Sequence, residues 1–483
     1  MVLSPFMVIL IVVSYFAVLL LIGHLTGRRS SNAGFFLGNR NSPWYVVAFG
    51  MISASLSGVT FISVPGWVVD SQFSYMQMIL GYLVGYAIIA GILMPMYYKL
   101  NLTSIYTYLR IRFGHRSYKT GASFFLLSRV IGASFRLFLV ANVLQITIFQ
   151  HYHVPFAVTV IVTILLIWLY TFRGGIKTII WTDSLQTFFM LLAVGITTWL
   201  ISKELGLGWK DAIHVIEESK LSKIFFFEDW RAPNHFIKQF LGGVFIAVVM
   251  TGLDQDMMQK NLSCRNIKEA KKNMYWFSFT LIPVNLLFLS LGVLLVLFAQ
   301  AKGIAIPERT DDLFPLLATQ GYLSPVVAVV FMIGLVAAAY SSADSALTAL
   351  TTSFTVDILE ANKLEENALR RLRMKVHVGV SVVLAIVILI FHSINNSAVI
   401  SAIFTIAGYT YGPLLGFYSF GLFTRRKVID AATPYIAVMS PILTLGVDIW
   451  SKSLFNGYEF GFELLLVNGV LTFIGLLFFS RRP

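Results

Sequence analysis

An all-α membrane protein of about thirteen bilayer-crossing helices is the fold class this chain predicts, and three observations carry that expectation. Of its 483 residues 57% are hydrophobic and only 12% charged, too little polarity to clothe a water-soluble surface of that size. Apolar runs of at least about 17 residues, the length that crosses a bilayer as helix, recur from one end of the chain to the other. The formal net charge of +13 gathers between alternate runs, the pattern left by lysine and arginine held on the cytoplasmic side. A basic chain of this kind therefore implies a lipid bilayer as partner and no nucleic acid.

The runs lie near 4–26, 44–69, 76–98, 120–149, 155–171, 178–202, 236–258, 275–301, 322–356, 376–394, 397–423, 430–450 and 461–480. The first has neither a basic leader nor a small-residue cleavage site, so it reads as a mature helix. If the loop holding Arg28, Arg29 and Arg40 is cytoplasmic, the inner segments also collect Lys99 to Lys119, Arg173, Lys177, Lys260 to Lys272, Lys363 to Lys375, Arg425 to Lys427, Arg481 and Arg482. The N-terminus is then expected outside and the C-terminus inside, in a cytoplasmic (plasma) membrane. The one cysteine, Cys264, falls in a basic inner loop and excludes an intrachain disulfide. Asn101 and Asn261 head glycosylation-type triplets on the wrong side for that use. The longest polar stretch, 203–235, begins with Gly208-Trp209-Lys210-Asp211, which predicts a short interfacial helix. No soluble domain is expected.

Two spans are interrupted. Ser53-Ala54-Ser55-Leu56-Ser57-Gly58-Val59-Thr60 crowds small hydroxyl residues and glycine into the second, and Thr251-Gly252 precedes Asp254-Gln255-Asp256 in the seventh. An offset of five spans inverts topology, and interrupted helices at matching places in two inverted halves point to a transporter's binding site. Small residues that let helices pack closely are the plainer alternative. A third segment, Ala337-Ala338-Ala339-Tyr340-Ser341-Ser342-Ala343-Asp344-Ser345, sets hydroxyls and a carboxylate in an apolar run. An ionised group there costs roughly 2.5–3.5 kcal/mol, so it reads as an ion site.

Tyr170-Thr171-Phe172-Arg173-Gly174-Gly175-Ile176-Lys177-Thr178-Ile179-Ile180-Trp181-Thr182-Asp183-Ser184-Leu185-Gln186 resembles the signature of the sodium:solute symporter family. Ser57 to Pro65 is similar to that family's first core helix, Ala338 to Ser342 to its Ala-x-x-Ser-Ser pattern, and Gly412-Pro413 to its tenth core helix. The resemblance implies a LeuT-type 5+5 inverted repeat within one transmembrane domain spanning 1–483. An extra helix at 4–26 would precede repeats at 44–202 and 236–423, and two helices at 430–480 would follow. It implies a sodium ion held by the backbone carbonyls of Ser53, Leu56 and Ala338 and the hydroxyls of Ser341 and Ser342. Such oxygens suit a hard cation, and Ser341 and Ser342 share a helix face with Ala338. Some relatives hold a second sodium at a carboxylate matching Asp183 and at hydroxyls matching Ser341 and Ser345. Here Asp344 stands beside them, so Asp183 and Asp344 either bind a second Na⁺ or share a proton; helix bridging by Asp183 and solvation of Asp344 are the structural alternatives. One charge moving down about 100 mV supplies roughly 2.3 kcal/mol, so the number of ions decides the driving force.

The expected substrate is a small polar solute. Arg129 and Arg136 sit seven apart in the third core span. The resemblance places Arg136 where sialic-acid-transporting members carry a carboxylate-binding arginine, a bidentate match for a guanidinium; an internal salt bridge is the alternative, above all for Arg129. Ser55, Ser57, Thr60, Tyr75, Gln77 and Thr251 are further pocket candidates, with Phe404, Tyr409 and Tyr411 as walls or gates. The resemblance implies polar groups in this helix for sugar-transporting members, so the apolar Ile246-Ala247-Val248-Val249-Met250 weakens a neutral sugar without excluding it. The expectation is a sodium-coupled symporter, monomeric as a functional unit, that imports a carboxylated solute such as sialic acid, an amino acid or an organic acid. A neutral sugar or polyol symporter and a transporter-like sensor are the alternatives. No pattern of catalytic or metal-ligating residues argues for an enzyme, and His151 with His153 lacks a carboxylate or cysteine partner nearby.

Overall fold

Among the described residues each expected apolar run falls largely on helix in the computed structural model, which describes residues 5–27, 31–147, 149–394, 399–454 and 456–482, with the side chains at 5, 147, 173, 362, 394, 399–405, 452 and 454 left aside. In chain order the helices are α1 (Pro5–Gly27), α2 (Trp44–Ser55 and Gly58–Ser71), α3 (Tyr75–Ile88, continuing to Lys99), α4 (His115–Thr147), α5 (Phe156–Gly174) and α6 (Ile176–Glu204). They continue as α7 (Phe236–Ala247, wound on to Gly252, then Gln255–Leu262), α8 (Ile267–Ala301), α9 (Pro325–Ser353), α10 (Glu366–Ile394), α11 (Val399–Phe423), α12 (Thr433–Leu454) and α13 (Leu464–Phe478). Among the described residues, eight single helices are long and apolar enough to cross a membrane, or ten spans counting the bent pairs α2 and α7. That is fewer than thirteen because α5 and α13 offer shorter apolar stretches and α11 begins in residues partly outside the description. The interfacial helix expected after Gly208 forms at Trp209–Glu218.

Both bends arise where the sequence weakens the helix. The two halves of α2 meet at 58°, across Leu56 (φ −92°, ψ 53°) and Ser57 (φ −44°, ψ 174°). Serine, whose hydroxyl competes for backbone bonds, and glycine, which loses the most backbone entropy in a helix, make that rupture cheap. In α7 the halves meet at 65°, and Asp254 caps the second by accepting from the amides of Asp256 (2.9 Å) and Met257 (3.3 Å), the satisfaction a helix start needs. The carbonyls bared by this bend are met by tyrosines: Tyr97 donates to Gly252 O (2.8 Å) and Tyr106 to Leu253 O (2.9 Å). In a bilayer such backbone groups have to find partners within the protein.

The core lies where α6, α9 and both broken helices meet. α6 packs along α9 and α2, α7 along α3, and α11 along α4 and α13. Gly58 begins the second half of α2 against α9: a Cβ there would stand 3.3 Å from Ala339 Cα, so glycine lets the break approach the helix carrying Ser341 and Ser342.

Cys264 is buried just past α7, and burial pushes its thiol up to about 12. Thiolate is the reactive form. A membrane-permeant maleimide at pH 7 is therefore expected to leave Cys264 unmodified in the folded protein and to label it after denaturation, read by intact-protein mass; rapid labelling of native protein contradicts this packing.

Candidate functional site

At the break of α2 neither the Ser53 nor the Leu56 carbonyl accepts a hydrogen bond among the described residues, since α2's first half ends at Ser55 and the last carbonyls of a helix lose their i+4 donors. Across from them α9 presents Ser341 and Ser342, both buried. Ser341 Oγ lies 2.7 Å from Ser53 Oγ and donates to Asp183 Oδ1 at 2.8 Å. Ser342 Oγ is buried without a hydrogen-bond partner among the described residues. A buried hydroxyl left unbonded costs free energy unless something fills its place. Ala338, one turn back in α9, retains the carbonyl's second lone pair. These are the five residues expected to hold sodium, and the fold brings the two helices that bear them together. The oxygen-only donor set, without a carboxylate among the five, suits Na⁺.

Asp183 and Asp344 are both fully buried. Solvation of Asp344 is thus overturned: its Oδ2 accepts from Tyr170 (2.8 Å), a donor from α5, and its Oδ1 has no hydrogen-bond partner among the described residues. Asp183 accepts from Ser341 and, at 3.5 Å, from Ser345, so Asp183, Ser341 and Ser345 converge as expected. The sequence did not prepare for Lys260. Counted with the inner basic loop, it lies instead inside the second half of α7, 1% exposed, with Nζ 2.7 Å from Asp183 Oδ2 and 3.9 Å from Asp256 Oδ1. Asp256 is also paired with Arg129, whose guanidinium lies 3.7 Å from Asp254, and Asp254 accepts from Tyr411. Arg129 thus takes the salt-bridge alternative. The missed signal was the spacing of Asp256 and Lys260, four apart on one helix face directly after the Thr251-Gly252 interruption.

Beside this network lies a cavity of about 70 Å³. Ser55, Ser57, Thr60, Tyr75, Arg136 and Thr251 line it, all from the expected set, joined by Arg129, Tyr82, Tyr86 and Asn285. Arg136 is 9% exposed, forms no ion pair among the described residues, and leaves its Nε unbonded. Gln77 lies outside the lining. Its amide donates to the carbonyls of Ser74 (3.3 Å) and Asn234 (2.9 Å), and its oxygen accepts from Phe226 N (3.1 Å); it braces the loop before α7, with no polar atom spare for a solute. The Phe404 side chain falls outside the described residues. Tyr409 donates to Asp448 (2.8 Å), while Tyr411 lines the neighbouring pocket that also contains Arg129 and Arg136.

Residues 35–432 match the profile of the sodium:solute symporter family. A sodium/sialic acid symporter of Aliivibrio fischeri is 27% identical, covering 91% of this chain and 86% of its own. Another, of Proteus mirabilis, is 24% identical over 95% and 93%. The solved structure of a Na⁺-coupled sialic acid symporter, substrate-bound and outward-open, superposes with a TM-score of 0.83 at 20% identity over 99% of both chains, which shows a shared fold. The chain belongs to the sodium:solute symporter family, and it is a membrane transporter coupled to sodium rather than an enzyme.

Proposed function

We propose that this transporter imports a carboxylated solute, with sialic acid the first candidate, and that Arg136 binds the carboxylate. The observation that carries the reading is an arginine almost wholly buried, facing a cavity, with no anion paired to it. A buried charge is normally paired, so a guanidinium kept unpaired beside a cavity is set for an anion arriving from outside. Hydroxyls of Ser57, Thr60, Tyr75 and Thr251 and the amide of Asn285 line the same space and suit the polyhydroxylated body of such an acid. The sialic acid symporters among its relatives support the choice.

Sodium at Ser53, Leu56, Ala338, Ser341 and Ser342 draws the break of α2 onto α9, and the solute binds at the other side of that break. Each ligand therefore stabilises the geometry the other needs, which is the reciprocal coupling symport requires. Exposure of both ligands inward follows from rocking of two inverted repeats, 44–202 against 236–423, with 4–26 and 430–480 peripheral. The basic inner loops support an outside N-terminus and an inside C-terminus in a cytoplasmic membrane, with the monomer as the working unit. In proteoliposomes with an inward sodium gradient, labelled sialic acid is expected to accumulate, glucose is not, and unlabelled sialic acid is expected to compete where its methyl ester fails. Competition by the ester equal to that of the acid overturns the Arg136 pocket.

A further inference from the structure

We infer that the Lys260 ammonium is a resident cation occupying the place of a second sodium, so that this transporter couples one Na⁺ to each solute. The inference rests on the symport reading and fixes its stoichiometry.

Asp183, Ser341 and Ser345 would form the second cation cage, and the lysine is already in it. Its Nζ is at contact distance from Asp183 Oδ2 (2.7 Å), on the side of the carboxylate away from the oxygen that Ser341 engages. An ammonium and a sodium ion have the same charge and both seek carboxylate oxygen. Two cations on one buried carboxylate repel each other strongly where water does not screen them, so the tethered one excludes the free one. Lys260 is also held in place: it is 1% exposed, borne on a helix capped at Asp254, and flanked by Asp256 one turn before it. The remaining charges that face it differ in their partners. Arg129 pairs Asp256 and approaches Asp254, while Asp344, whose Oδ2 accepts from the neutral Tyr170, keeps its Oδ1 unbonded among the described residues. The first sodium site is spared, because its five donors include neither carboxylate. One Na⁺ moving with a singly charged carboxylate carries no net charge, so the cycle is electroneutral.

The test counts bound ²²Na⁺ on the purified full-length protein without solute, and then follows carboxylate uptake in proteoliposomes under an imposed potassium-diffusion potential. Wild type is expected to bind one sodium per chain and to take up solute at a rate insensitive to potential. Lys260→Met, purified in sodium, is expected to bind two and to become potential-driven. Lys260→Met/Asp183→Asn, which removes both charges of the pair and so protects folding, is expected to bind one. Two sodium ions on the wild type, or potential-driven uptake of a monocarboxylate by it, overturn the inference without help from any variant, as does one ion on Lys260→Met. Because the ion count needs no solute, it stands apart from the carboxylate reading: failure of carboxylate uptake with one bound sodium falls on the Arg136 pocket, whereas two bound sodiums fall on Lys260.

Discussion

Arg136→Met is expected to raise the KM for a carboxylated solute by roughly 100-fold, about 3 kcal/mol, the cost of truncating one partner of a desolvated charge pair. Bound sodium should be almost unaffected, because none of the five proposed sodium ligands touches Arg136. Protein without solute should be no less stable. Arg136 forms no ion pair within the protein among the described residues, so the substitution removes an uncompensated buried charge while keeping most of the side-chain volume, a change that is neutral or stabilising in general. Arg136→Lys keeps the charge but loses the two-pronged match to a carboxylate, and should fall between. The measurements are initial uptake rates against solute concentration and a thermal melt without solute. A melt well below wild type, with uptake lost for every solute alike, would instead make Arg136 a structural residue.

Contrast with Arg129 sharpens that expectation. The two arginines lie on the same helix, and both reach the cavity, yet Arg129 is tied to Asp254 and Asp256. Its loss takes the guanidinium from two buried carboxylates, so Arg129 substitutions are expected to fold poorly for reasons unrelated to the solute. Burial alone does not identify the binding arginine; the missing partner does.

Local chemistry explains what was legible in the chain. The broken helices showed themselves because serine, glycine and threonine clustered at mid-span, and the proposed sodium ligands because Ala338 to Ser342 resembles the family's Ala-x-x-Ser-Ser pattern. The signature resemblance pointed to Asp183, and a carboxylate inside an apolar run pointed to Asp344, but neither gave their partners. Lys260 was lost in the tally of inner basic residues: a loop lysine and a buried lysine have the same sequence signal, and only the fold brings α6 within 2.7 Å of it. Gln77 misled for a related reason. A polar residue in an apolar run points to a ligand until its partners are known, and those at Phe226 and Asn234 lie some 150 residues further on. Tertiary partners decided each case that the chain left open.

Ser342→Ala should raise the sodium concentration for half-maximal uptake by roughly 30-fold, about 2 kcal/mol, the order of a hydrogen-bond-strength contact to a charged species. Uptake capacity at saturating sodium should change little, since four proposed ligands remain and the solute cavity is untouched. The reason for choosing Ser342 over Ser341 is the state of its hydroxyl. Ser341 is bonded to Ser53 and Asp183, so its removal also leaves Asp183 short of a donor and confounds ion binding with folding. Ser342 Oγ has no hydrogen-bond partner among the described residues, so alanine there gives up no hydrogen bond in the sodium-free protein. The two states are separable by thermal melts. A ligand that binds only the folded form stabilises it by RT ln(1 + [L]/Kd), so wild type should gain stability on titration with NaCl against a choline chloride background. In Ser342→Ala the sodium-free melt should coincide with wild type, while the whole titration shifts to higher sodium. A lowered sodium-free melt with an unshifted titration would mean that Ser342 supports α9 packing and that the ion sits elsewhere.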